Sequence, residues 1–73
     1  MIVIDPSNDK YKLTWHTHIE TAHDAVEWCY QNWGNDWGRC HLGVPDQLGQ
    51  ADHYFLFYQL SHANWFKLRF DSV

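Results

Sequence analysis

Six histidines and two cysteines are the side chains of this sequence best suited to hold a metal ion or to carry out nucleophilic chemistry. His16 and His18 lie two residues apart, so in an extended segment both project to one side. Cys40 and His41 fall together in a later segment, and His23 and Cys29 lie between the two groups. Tetrahedral zinc accepts imidazole and thiolate ligands, and closing such a site would stabilise a short chain. The spacings, however, include neither CxxC nor HxxxH, the pairings that make a zinc assignment strong. Cys29 also falls on an apolar helical stripe, where it serves as a small hydrophobe, and His16 falls on the polar side of its strand. The expectation is a domain without metal or cofactor. His16, His18, Cys40 and His41 are the ligands of a zinc-binding alternative.

A catalytic thiol is less well supported. Cys40 and His41 are sequence neighbours, so in a strand they point to opposite faces and cannot pair. Gly34, Gly38, Gly43 and Gly49 stand singly in turns, and no glycine-rich phosphate loop exists. A chain of 73 residues leaves little room for pocket, orienting group and oxyanion donors together. No enzyme activity is expected.

Aromatic residues are the other resource: five Trp, four Tyr and four Phe. Each buries on the order of 150–250 Å², so a few of them give a small domain a usable core. This supply exceeds what such a core needs, and the surplus is expected at the surface, where Trp and Tyr anchor interfaces. Trp33, Trp37, Trp65 and Tyr58 are the expected protein-binding residues. The plainer reading is that the Trp residues close the ends of the core.

Tyr54, Phe55, Phe57 and Tyr58 also resemble in type the rings on which single-stranded nucleic acid stacks. Against that stand the net charge of −4 and the pI near 5.7. The five cations, Lys10, Lys12, Arg39, Lys67 and Arg69, are scattered along the sequence. Nucleic-acid binding is therefore the second alternative, and an unlikely one on charge alone.

The elements that must position these residues follow from hydrophobic period. Ile2-Val3-Ile4 suggests a short strand, followed by the turn-rich Asp5-Pro6-Ser7-Asn8-Asp9. Tyr11, Leu13 and Trp15 alternate with Lys10, Lys12, Thr14 and His16, the pattern of a half-buried strand. Ala22, Ala25, Val26, Cys29 and Trp33 then mark one stripe of a helix from Thr21 to Trp33, with Thr21 and Asp24 as capping box and Gly34 as terminator. A strand over Trp37 to Leu42 is expected, then a loop over Gly43 to Asp52, the best candidate for mobility. His53 to Gln59 reads as a strand apolar on both faces, which belongs at the centre of a sheet or faces a partner. After Ser61 as cap, residues 62–70 fit either helix or strand, and helix is preferred because Ala63, Phe66 and Phe70 share a face. Two strand-to-helix passages, ending in Thr21-Ala22-His23 and Ser61-His62-Ala63, hint at two similar halves.

Tyr54-Phe55-Leu56-Phe57 followed by His62-Ala63-Asn64-Trp65-Phe66-Lys67-Leu68-Arg69-Phe70 resembles the strand-then-helix ending of small tailed-phage accessory proteins. The resemblance covers under a third of the chain, and its motif is mostly core-forming residues. It departs at His62, where an acid is common. It implies a phage protein that binds and modulates a host protein.

Together these readings predict one α+β domain. A small antiparallel sheet of about four strands carries one amphipathic helix on one face, with a short C-terminal helix or strand. Its expected function is non-catalytic binding of another protein, either a host factor or its own copy in a homo-oligomer. Met1-Ile2-Val3-Ile4 stops at Asp5-Pro6, short of a signal peptide, and no apolar run spans a membrane. The expected compartment is the cytoplasm, where Cys29 and Cys40 stay reduced.

Overall fold

Side-chain alternation builds the sheet. The structure, a computed structural model, describes residues 2–7 and 10–71. The first two strands, β1 (Ile2–Ser7) and β2 (Lys10–His18), pair antiparallel with Ile2 opposite Trp15 and Ile4 opposite Leu13. β1 thus continues through Asp5, Pro6 and Ser7, residues whose types suggested a turn; Asn8 and Asp9 lie outside the described residues. Pro6 is tolerated because β1 is an edge strand, where a missing N–H breaks no inner ladder.

β2 leads directly into α1 (Ile19–Trp33), and after the turn that follows come β3 (Gly38–His41), β4 (Gln50–Phe57) and α2 (Leu60–Phe70). The sheet order is β1-β2-β4-β3, with every neighbour antiparallel. The chain therefore repeats a strand-strand-helix unit, with β2 and β4 paired at the centre and β1 and β3 outside them. The halves also correspond within their helices. Four and seven residues after the caps His18 and Gln59 come the buried pairs Ala22 and Ala25, and Ala63 and Phe66.

Both helices lie on one face, over Leu13, Trp15, Phe55 and Phe57. Small residues on α1 (Ala22, Ala25 and Cys29, all fully buried) let its backbone approach the sheet. α2 contributes one large anchor. Phe66 lies 4.7 Å from Phe55, 5.5 Å from Phe57 and 5.5 Å edge-on from Trp15, measured between ring centroids. Where α2 ends, Asp71 Oδ2 accepts the Ile2 N–H at 3.2 Å, tying the end of the second half to the start of the first.

Several boundaries differ from the sequence reading. α1 starts at Ile19 rather than Thr21, because His18 is the cap and its Nδ1 accepts the Glu20 N–H at 3.1 Å. Residues 60–70 are helical, but Gln59 rather than Ser61 is the cap and no side chain closes it. β4 starts three residues before His53, since Gln50, Ala51 and Asp52 pair with β2 through backbone bonds that need no apolar side chain. β3 is shorter than Trp37 to Leu42. Gly34 does end α1, with φ 69° and its N–H donating to Tyr30 O. Gly38 is required for a different reason: at φ 145° any Cβ there would collide with the Leu56 carbonyl oxygen. No helix among the described residues is long and apolar enough to cross a membrane.

Phe55 is fully buried as expected, whereas Val26 is only partly buried at the margin of the core. Phe55→Ala should therefore cost about 3–5 kcal/mol, against about 1 kcal/mol for Val26→Ala. Urea unfolding of the two variants measures the difference; equal losses would contradict this placement of α1 on the sheet.

Candidate functional site

Helical spacing places a set of apolar side chains outside the core. On α2, Trp65 and Leu68 project away from Ala63 and Phe66 and are 64% and 69% exposed. On α1, Trp28 and Asn32 lie one turn apart and face them across a groove of about 370 Å³, with Arg69 completing the lining. Trp28 is held edge-on by Trp33 at 5.1 Å and by Phe70 at 5.4 Å, so the groove has a rigid wall. The Asn32 amide donates to the Trp28 carbonyl at 2.9 Å. Asp24 and Glu27 of α1 border a second depression together with Arg69 and Phe70 of α2, and Lys67 and Asp71 border a third on α2.

The four residues expected to bind protein are not brought together. Trp65 points outward, as its helical position requires. Trp33 is half-buried and stacked on His62, with centroids 4.1 Å apart and planes 10° from parallel. Trp37 is a correction: it is fully buried against Phe55, Phe57 and Tyr30, so it offers no surface for binding. The turn after Gly34 folds the chain back under α1, and Trp37 is carried inward with it. Tyr58 is exposed, but beyond the end of β4 on the side away from the helices, with Lys10 Nζ 5.8 Å from its ring.

The zinc alternative is also dispersed. His16 Nδ1 bonds Asp52 at 2.7 Å on the open sheet face, and His18 is occupied as the α1 cap. His41 stacks on Tyr54 on that open face, while Cys40, with the opposite parity in β3, faces the core. Among the described residues no group of three or more potential ligands converges. Burial pushes the Cys29 thiol up to about 12, with the neighbouring Cys40 adding to the effect, and burial also raises Cys40. Neither is a poised nucleophile.

Two features escaped the sequence reading. His53 is fully buried and bonded at both ring nitrogens. Nδ1 accepts the Gly43 N–H at 3.2 Å, and Nε2 donates to the Thr17 carbonyl at 3.1 Å. Its parity with Phe55 and Phe57 was the available signal. Asp46 accepts from the Leu48 and Gln50 N–H groups at 2.8 and 3.0 Å, so the stretch read as the best candidate for mobility is closed by its own bonds.

No protein-family model, curated protein or solved structure matches the chain.

The thiol environment gives a pH prediction. In the unfolded chain Cys29 ionises near 9.0, whereas the fold holds it protonated to about 12. Its contribution is thus present below pH 9 and is lost as pH rises from there toward 12. By about pH 10.5 the loss should be on the order of 2 kcal/mol, and Cys29→Ala should flatten that part of the profile. Urea midpoints between about pH 8 and 10.5 test this; identical slopes for wild type and variant would refute it.

Proposed function

We propose that this chain is a non-catalytic protein-binding module that associates through its helix layer with a second copy of itself. The observation that carries this reading is the exposure of Trp65 and Leu68 beside the half-buried Trp28. A Trp and a Leu exposed to this degree side by side form a contiguous apolar patch of the kind that marks an interface, and a ring fixed on one side by a rigid wall loses little entropy on docking.

The rims of the strip carry both signs of charge, which suits a second copy as the occupant. Asp24 and Glu27 of α1 and Arg69 of α2 line one depression beside the apolar strip, and Lys67 and Asp71 border another beyond it on α2. A two-fold axis running along the groove lays α1 of one copy over α2 of the other, so the apolar strips meet and both rims offer charges of either sign. Such a surface complements itself without any further element.

Sedimentation over a wide concentration range tests the reading. Wild type should associate, and Trp65→Ala should weaken association about thirtyfold while leaving the melting temperature nearly unchanged. Leu68→Asp should act in the same direction, since it places a carboxylate in the apolar strip. Undiminished association of both variants would sink the groove as the contact. A wild type monomeric at every concentration would sink self-association. It would leave the groove to a different protein, the host-factor reading implied by the phage resemblance.

A further inference from the structure

The second face of the sheet carries no helix, and the register of the strands collects on it charges that are far apart in sequence. Lys12 on β2 and Arg39 on β3 are both paired with Leu56 on β4, one from each side. Their side chains therefore flank the middle of the open face. On β4, Tyr54 stands two residues before Leu56, and Tyr58 follows just past the end of the strand. Both rings are exposed, at 38% and 46%. Lys12 Nζ lies 4.5 Å from the Tyr54 centroid and Lys10 Nζ 5.8 Å from that of Tyr58. Three of the five cations of an acidic chain thus share one face with two exposed tyrosines.

The carboxylates are distributed differently. Among the described residues two belong to this face: Asp52, which is bonded to His16 at 2.7 Å, and Asp5, which is opposite Lys12 on the edge strand. Glu20, Asp24 and Glu27 are on α1, Asp36 and Asp46 are in connections, and Asp71 follows α2.

From this arrangement we infer that the open sheet face binds single-stranded nucleic acid. Unpaired bases present flat faces that stack on Tyr54 and Tyr58, and a backbone phosphate between them runs past Lys12 and Arg39. Stacking on Tyr54 displaces the Lys12 ammonium from the ring and turns it toward that phosphate. A duplex hides the base faces and would meet only the cations. An acidic peptide would satisfy the cations but bring no planar group to either ring. The helix layer takes no part, so the inference is independent of self-association through Trp65.

Fluorescence anisotropy with labelled oligothymidylate and oligouridylate of about twelve nucleotides, at low salt, tests it. Phosphate contacts by Lys10, Lys12 and Arg39 predict a slope of log affinity against log salt of about −2. Tyr54→Ala should weaken binding about tenfold or more, and Lys12→Ala with Arg39→Ala should bring the slope to below about −1 in magnitude. Trp65→Ala should leave the affinity unchanged, and a duplex or polyglutamate should compete poorly. Three results would each overturn the assignment: no binding at low salt, equal competition by polyglutamate, or a Tyr54→Ala variant that binds as wild type. Tyr54 is exposed, so circular dichroism should show its variant folded; an unfolded variant passes the same test to Tyr58→Ala.

Discussion

Two short helices can cover only one face of a four-stranded sheet, and most of the molecule follows from that limit. The covered face must supply nearly all of the apolar burial, because a chain of this size hides only roughly 60% of its unfolded surface. It does so with rings. Trp15, Phe55, Phe57 and Phe66 meet at centroid distances between 4.7 and 6.4 Å, in tilted, stacked or edge-on arrangements that add to area burial. The small buried residues of α1 serve the same end, since bulk there would lift the helix from the sheet. The uncovered face must remain compatible with water, hence its lysines, threonine and histidines.

The helix layer has a similar consequence. α1 and α2 each spend one stripe on the sheet, and between them Trp28 is wedged among Trp33, Phe66 and Phe70. The next turn outward on α2 has nothing left to pack against. Trp65 and Leu68 remain exposed for that geometric reason, and their exposure is a property of the isolated fold.

Period was legible in the sequence, and position across the sheet was not. The alternation of Leu13 and Trp15, the stripe of Ala22, Ala25 and Cys29, and the outward place of Trp65 each follow from spacing within one element, and each is found. Trp37 was misplaced because its direction depends on how a turn returns the chain, which no local period encodes. Lys10, Lys12 and Arg39 looked scattered because their proximity arises from the pairing of β2 and β3 with β4. His53 was missed for a related reason: a histidine at a core position becomes sensible only when Gly43 and Thr17 are known to lie within reach of its ring. The ends of the elements moved most where backbone bonding rather than side-chain burial decided them, as at Gln50 and Ile19.

The bond from Ile2 to Asp71 has a consequence for chain order. Each half is a complete strand-strand-helix unit, and the turn after Gly34 is their only covalent join among the described residues. Because the far ends of the two halves already meet at 3.2 Å, the covalent join can be moved there. A circular permutant opened near Asn35, with Asp71 linked to Ile2 by a few flexible residues, would keep every strand pairing while reversing the order in which the halves are made. The edge strand β3 would then lead the chain, and the central pairing of β2 with β4 would close a loop of different length. In such a protein the folding rate, rather than the folded state, would carry the memory of which half came first.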